Sequence, residues 1–239
     1  MRRALGVLPH PERGGWDDYF RRLIRRIEGV GILVMREGYI GHYTRPLSVQ
    51  EFRGFAIANP LAPVIFINQA DAPSARLFTL IHELAHIWIG KSGISDASPD
   101  THRKEEVFCN AVAAEFLVPE KEFLAHWREA ENWRDNLLVM EAHFRVSSWV
   151  IARRAFTLGK ISHHQYQTYV TELLEQFRNR ERTERPIPYY RTLKGKVSET
   201  FSKVLVSEAR RGRILLRDAG SLLNMKPYRI AKYAKELGL

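Results

Sequence analysis

The sequence has little cysteine and no long apolar run. Cys109 is its one cysteine, so no internal disulfide can form, which is typical of a reducing compartment. No stretch approaches the roughly 20 consecutive apolar residues of a membrane-spanning helix. The basic start of the chain is not followed by the roughly 7 to 15 apolar residues of a signal peptide. We therefore expect a cytoplasmic protein that does not bind a membrane.

Acidic residues are scarce towards the C-terminal end. The 239 residues carry a net charge of +10, which divides into +4 for residues 1–59, −5 for 60–146 and +11 for 147–239. An acidic middle followed by a basic end predicts chemistry in the middle and an anionic partner at the end. A basic surface that maintains solubility explains the same charge equally well.

Short segments separated by glycine and proline predict a fold with both helices and strands. An amphipathic helix is expected over residues 15–29, and strands are expected within 30–38, 52–58 and 62–69. No long helix separates the strands, so an antiparallel meander is predicted. The polar residues 91–103 are predicted to form a loop, and helical patterns occupy most of the rest of the chain.

The segment TLIHELAHIWIG, residues 79–90, contains two histidines four residues apart. A helix is predicted from about Ser74, as its N-cap, to Ile89, with Gly90 ending it. An ordinary buried helix explains the pattern too, since apolar residues flank both histidines. However, three titratable side chains are unfavourable to bury without a partner, and a bound metal ion would be such a partner.

The spacing of His82 and His86 fits a metal site. In a helix, residues four apart stand one above the other, with about 5 to 6 Å between their Cβ atoms, so two imidazoles can bind one ion. Zinc in a hydrolase has three protein ligands and an open position, where the pKa of a water molecule falls towards about 7. Glu83, turned by about 100° from His82, is predicted to be the general base that takes a proton from the attacking water.

A third ligand is expected after His86. The candidates that can supply a ligand atom are His102, Glu105, Glu106, Cys109 and Glu115. Glu106 is our choice, because it shares one face of the next predicted helix with Asn110 and the small Ala113, which would let the two helices approach closely. Glu105 is explained as a favourable charge in the first turn of a helix, and Glu115 as an exposed or hydrogen-bonded residue near the helix end. The cysteine is explained as a small core residue.

Three segments resemble the ImmA/IrrE metallopeptidases, bacterial relatives of the zincins: RGFAIANPLAPVIFIN, FTLIHELAHIWIG and EEVFCNAVAAEFLVP, with FRVSSWVIARRAFTLGKIS behind them. The resemblance covers roughly residues 30–160. It implies an α+β fold, in which a zincin-like core with a small antiparallel sheet and the HExxH helix is followed by a helical C-terminal region. The family pattern places the third ligand four residues before an asparagine, which is Asn110 here, so the resemblance also implies Glu106.

The resemblance implies a zinc endopeptidase that cleaves a DNA-binding repressor, which relieves repression of mobile-element, toxin–antitoxin or stress-response genes. Many relatives carry an N-terminal DNA-binding domain, for which there is no room before residue 30, so the repressor is expected to be a separate protein. Ala85 stands where the family usually has glycine. We divide the chain into a zincin-like metallopeptidase domain (1–125), a helical, helix-turn-helix-like subdomain (126–180) and a basic helical C-terminal region (181–239).

A regulatory DNA-binding or antitoxin-like protein, with a structural or vestigial zinc site, is the alternative. Residues 137–159 and 214–238 both have the pattern of a helix-turn-helix, although any two packed helices with a tight turn look alike. The charged run 178–188 is the best linker candidate. The basic C-terminal region beyond it is a candidate for a weak contact with nucleic acid or with an acidic protein. Three ligands and an intact Glu83 favour the enzyme, because structural zinc usually has four protein ligands.

Overall fold

The computed structural model describes residues 1–7, 14–40, 44–95, 104–179 and 195–239. Its strands are β1 (Leu33–Glu37), β2 (Gly54–Ile57), β3 (Val64–Asn68) and β4 (Gly93–Ser95). Its helices are α1 (Arg2–Leu5), α2 (Trp16–Gly29), α3 (Pro73–Trp88), α4 (Lys104–Leu117), α5 (Glu120–His126), α6 (Asp135–Phe144), α7 (Ser148–Thr157), α8 (His163–Asn179), α9 (Glu199–Arg210), α10 (Leu216–Leu222) and α11 (Ile230–Glu236). Within the described ranges, no helix is both long and apolar enough to cross a membrane.

The four strands form one mixed sheet in the order β1-β3-β2-β4. Strand β3 pairs antiparallel with β2, as predicted, but β1 lies on the other side of β3 and runs parallel to it. The predicted antiparallel meander is therefore wrong for β1. The long connection 38–53 and β2 together form the crossover, so no helix is needed between the two parallel strands.

The fourth strand lies in a segment predicted to be a loop. Residues 93–95 pair antiparallel with β2, with Ala56 opposite Gly93 and Gly54 opposite Ser95. This strand has three residues, two of them glycine or serine, so it shows neither the alternation nor the β-branched run by which strands are recognised. Its pairing partner, and not its own composition, makes it a strand.

Helix α3 passes through the centre of the main hydrophobic core. Its residues Leu77, Leu80, Ile81 and Leu84 are fully buried. This core also takes side chains from α2, the sheet and α4 to α8, whereas a second core joins Leu205 to Leu237 in the C-terminal helices. The mixed α+β architecture with a helical C-terminal region is confirmed, and the boundaries of the three proposed parts stay a prediction.

The helical pattern of residues 123–144 is interrupted in the structure. Helix α5 ends at His126, and α6 begins only at Asp135. Between them the backbone of Arg128 donates its N–H to the Asn136 side chain and accepts a hydrogen bond from it, both at 2.9 Å. An asparagine that bonds to a nearby backbone in this way competes with a continuous helix.

Helices α6 and α7 are joined by a three-residue turn in which Arg145 has a left-handed conformation, with φ of 56°. Their buried residues, such as Met140 and Ile151, belong to the main core. Arg154 is buried and pairs with Glu115 of α4. This helix pair therefore packs around α3 and α4, and Arg154 is not available to a nucleic acid.

Candidate metal centre

The helix that carries the two histidines ends one residue before the predicted Ile89 and has its N-cap two residues before the predicted Ser74. Its first residue is Pro73 and its N-cap is Ala72, so Ser74 is not the N-cap. Proline suits the first helical position because its missing N–H has no partner there and its φ is already helical. At the other end, Gly90 has φ of 67°, the left-handed conformation that ends a helix.

His82, His86 and Glu106 come together at one point. Their ligand atoms all lie within 4.8 Å of one another. Glu106 Oε2 is 3.0 Å from His82 Nε2, its Oε1 is 3.2 Å from His86 Nε2, and the two Nε2 atoms are 3.1 Å apart. Both histidines are buried, and the Glu106 side chain keeps 12% of its surface exposed.

Packing of α4 against α3 positions the carboxylate. Glu106, Cys109 and Ala113 lie on the buried face of α4, and Ala113 has no exposed surface. The methyl side chain of Ala113 lets the backbones of α3 and α4 approach closely. The hydrogen bonds to His82 and His86 lower the pKa of the Glu106 carboxyl to about 2, so it is an anion at neutral pH.

The other third-ligand candidates lie elsewhere. Glu105 is exposed in the first turn of α4, and Glu115 pairs with Arg154 and accepts a hydrogen bond from the backbone N–H of Glu120. Cys109 is buried, and burial together with the nearby Glu106 raises the pKa of its thiol to about 12, so it stays neutral. His102 lies outside the described residues.

Asn110 has a role that sequence reasoning did not assign. Its Oδ1 lies 3.1 Å from His82 Nδ1, one helical turn after Glu106. When His82 donates its Nδ1–H to this oxygen, the lone pair of Nε2 is directed at the cluster. The signal was present in the sequence, since Asn110 shares a face with Glu106, but the spacing alone did not show which histidine it meets.

Replacement of Asn110 by alanine should weaken metal binding. Loss of a partner that orients a histidine ligand typically lowers metal affinity by about 10- to 100-fold, and competition with a chelator of known affinity would measure the change. Asn110→Asp is the matched control, because it keeps an oxygen acceptor for His82 and should retain most of the affinity. Unchanged affinity in Asn110→Ala would show that Asn110 does not orient the ligand.

Two glycines let the sheet lie directly against the histidine helix. A Cβ atom on Gly54 of β2 would lie 3.0 Å from Glu83 Oε1 and 2.8 Å from the Phe66 carbonyl oxygen, and one on Gly93 of β4 would lie 2.9 Å from Cε1 of His86. Any side chain at these positions would displace the carboxylate or the imidazole. Glu83 itself has no exposed surface, so β2 and β4 form one wall of the site.

The residues present fit a zinc ion. Two imidazole nitrogens and one carboxylate are the donor set of catalytic zinc, which keeps a fourth position for water or substrate. No fourth histidine, cysteine or acidic residue joins the cluster in the described part of the chain. The Nε2 atom of His86 is the nitrogen that meets the other two ligands. Its Nδ1 is buried and has no hydrogen-bond partner among the described residues.

Two histidines and a carboxylate on adjacent helices, with a buried glutamate after the first histidine, define the class of HExxH metallopeptidases. Residues 28–156 match the peptidase M78 family, described as the IrrE N-terminal-like domain. The match spans more than half of the chain, and the protein belongs to this family. The resemblance to the ImmA/IrrE metallopeptidases is thereby confirmed. Residues 197–236 match a second family, described as a domain of unknown function. A comparison with curated proteins finds no match.

Proposed function

We propose that the protein is a zinc-dependent endopeptidase that cleaves a DNA-binding transcriptional repressor and so relieves repression of mobile-element, toxin–antitoxin or stress-response genes. The observation that carries the peptidase part is the meeting of His82, His86 and Glu106 within 4.8 Å beside the buried Glu83. Membership of a peptidase family supports it. The repressor as substrate is what the ImmA/IrrE resemblance implies.

The chain's own residues divide the work of hydrolysis. When bound, zinc would polarise the peptide carbonyl and lower the pKa of a water molecule in its open position. Glu83 accepts a proton from the water as its oxygen attacks the carbonyl carbon, and delivers that proton to the amine nitrogen as the C–N bond breaks. His82, His86 and the anionic Glu106 would hold the metal, and Asn110 orients His82.

Strand β4 is the edge of the sheet next to the metal centre. Among the described residues it pairs with β2 on one side only, and its Gly93 lies against His86. An extended segment of substrate that paired with this edge through backbone hydrogen bonds would lie alongside the cluster. Backbone pairing of this kind gives little sequence preference, so selection of one repressor needs further contacts.

The proposed function is tested with zinc-loaded protein and the product of the neighbouring repressor gene. Intact-mass analysis after incubation should show two new fragments whose masses add up to the repressor plus one water molecule. The same incubation with Glu83→Gln protein is the control for contaminating proteases. An uncut repressor, with full zinc occupancy, would remove this repressor as the substrate.

The C-terminal helices are a candidate for the surface that selects the substrate. Helix α10, a left-handed Asn224 and α11 form a helix-turn-helix arrangement in which Gly220 packs against Met225 too closely for a side chain. Lys226, Tyr228 and Lys235 are exposed along its second half. An acidic patch on a folded partner would complement this basic face.

Cleavage should therefore be selective. We expect the intact protein to cut unstructured casein poorly and to cut its cognate repressor at one or a few positions. The double substitution Lys226→Glu and Lys235→Glu should lower repressor cleavage about tenfold, because like charges would now meet at the contact. The same variant should leave slow peptide cleavage unchanged. Rapid and indiscriminate degradation of casein by the intact protein would instead indicate a general peptidase.

The second candidate function for this region is nucleic-acid binding, and the exposed lysines of its helix-turn-helix arrangement favour it. Binding through phosphates would weaken steeply as salt concentration rises, since each neutralised phosphate releases counterions. Fluorescence anisotropy with labelled duplex DNA at low and high salt distinguishes the two candidates. No detectable binding at low salt leaves the basic face to a protein partner.

A further inference from the structure

An arginine without an ion-pair partner in the described part of the chain lies beside the candidate metal centre. Arg153 of α7 holds its guanidinium carbon 5.1 Å from the ring centre of Phe78 and 5.8 Å from that of Trp149. Among the described residues, no carboxylate lies within ion-pair distance of this guanidinium and no oxygen accepts a hydrogen bond from it. The side chain is half-buried, so its charge is only partly hydrated.

A second guanidinium approaches the same aromatic pair from the sheet. The Arg53 guanidinium carbon lies 5.9 Å from the ring centre of Trp149, and the indole and the Phe78 ring form a T-shaped pair with 5.5 Å between ring centres. The charge of Arg53 is only weakly paired with that of Asp71, because 3.9 Å separate Arg53 Nε from Asp71 Oδ2. Two positive charges and two aromatic rings therefore form one cluster, which we call the arginine platform (Arg53, Phe78, Trp149 and Arg153).

The arginine platform adjoins the residues of the site. Phe78 is one helical turn before His82, with 6.5 Å between their ring centres. Arg53 directly precedes Gly54, which lies against Glu83. One turn of helix is about 5.4 Å, and an extended chain advances about 3.3 Å per residue. A substrate chain crossing the metal centre would bring a residue within about three positions of the cleaved bond to the platform.

The chemistry of the platform selects a carboxylate. A guanidinium held against aromatic rings keeps its N–H groups available, because those groups lie in its own plane. They match the two oxygens of a carboxylate, and partial burial strengthens the attraction relative to open water. An apolar or basic substrate side chain would leave Arg153 without a partner.

We propose that the arginine platform is a specificity subsite that binds a carboxylate of the substrate, close to the bond that is cleaved. This inference rests on the proposed peptidase function and names the substrate class of the same site: peptide segments with an aspartate or glutamate within about three residues of the cut. A free C-terminal carboxylate has the same chemistry, and the test separates the two sources.

The test uses zinc-loaded protein and a defined mixture of synthetic peptides, each made with a free and with an amidated C-terminus, with cleavage sites read by mass spectrometry. The wild type should prefer Asp or Glu near the cut. In Arg153→Gln, KM for an acidic peptide should rise about tenfold with kcat little changed, since one charged hydrogen-bonding group is lost. In Arg153→Glu, the preference should reverse to Lys or Arg. Arg25→Gln, an equal change of charge on the exposed face of α2, should alter neither.

A binding measurement separates this inference from the proposed function. Zinc-loaded Glu83→Gln protein should bind an acidic peptide about tenfold more tightly than its Gln counterpart, and adding Arg153→Gln should abolish the difference. Cleavage without a preference for acidic peptides overturns the subsite and leaves the proposed peptidase function intact. A preference that survives in both Arg153→Gln and Arg53→Gln has the same consequence. If no peptide is cut, the binding difference alone decides the subsite. A preference that disappears on amidation assigns the carboxylate to the chain terminus.

Discussion

Glu106→Ala protein should lose most of the metal that the wild type carries. The wild type is expected to hold about one zinc ion per chain, bound by three protein ligands. Removal of the carboxylate leaves two histidines and no anion at the site. Metal affinity should therefore fall further than it does on loss of an outer partner, which typically lowers it about 10- to 100-fold. Metal analysis of protein after dialysis against a weak chelator would measure it. His82→Ala and His86→Ala should behave alike.

Glu105→Ala is the matched control for this prediction. Glu105 and Glu106 are neighbours in the first turn of α4, but only Glu106 is buried against the histidines. Substitution of the exposed residue removes the same charge from the same helix and should leave the metal content at the wild-type level. Normal metal content in Glu106→Ala, with the loss in another variant, would assign the third ligand to that other residue.

Glu83→Gln should retain the metal and lose cleavage. The amide has nearly the shape of the carboxylate and is not a ligand in the cluster, but it cannot accept a proton from water. General acid–base groups typically contribute about 10²- to 10⁴-fold to rate, so cleavage of the repressor should fall by about this factor. Zinc content and thermal melting should stay near those of the wild type, which separates a lost base from a lost fold. Full activity in this variant would rule out Glu83 as the general base.

The meeting of His82, His86 and Glu106 could be predicted from the sequence because helix geometry fixes most of it. The spacing of His82 and His86 places both on one side of α3, and the face of α4 that carries Ala113 determines which acidic residue meets them. Neither inference depends on distant parts of the chain. The parts of the site that come from the sheet, Gly54 and Gly93, could not be placed in this way, since their positions depend on strand pairing.

The order of the strands was the main failure of sequence reasoning. The first three strands were recognised from their own residues, but pairing is a contact between distant segments, and nothing in residues 30–38 shows that β1 pairs with β3 and not with β2. Strand β4 was missed because its three residues have no strand pattern. Such short strands form when a partner already offers backbone groups.

Arg153 shows the same limit for side chains. Residues 137–159, which include Arg153 and Arg154, have the sequence pattern of a helix-turn-helix, and that pattern does not show what either arginine contacts. In the structure the two neighbours face different surroundings: the buried Arg154 pairs with Glu115, whose side chain is exposed, and Arg153 lies over the rings of Phe78 and Trp149. Adjacent residues of a helix point about 100° apart, so the direction of each depends on how α7 packs.

The start of the C-terminal helical unit lies against the edge of the sheet that is formed by β1. The backbone N–H of Ser198 donates to Met35 Sδ at 3.3 Å, and Lys196 pairs with Glu37 at 2.9 Å. An uncovered edge strand promotes edge-to-edge association and aggregation. A chain shortened within 180–194 would lose this cover together with the basic face, so inactivity after truncation would not distinguish a lost docking surface from self-association. Point substitutions at Lys226 and Lys235 leave β1 covered and keep the two causes apart.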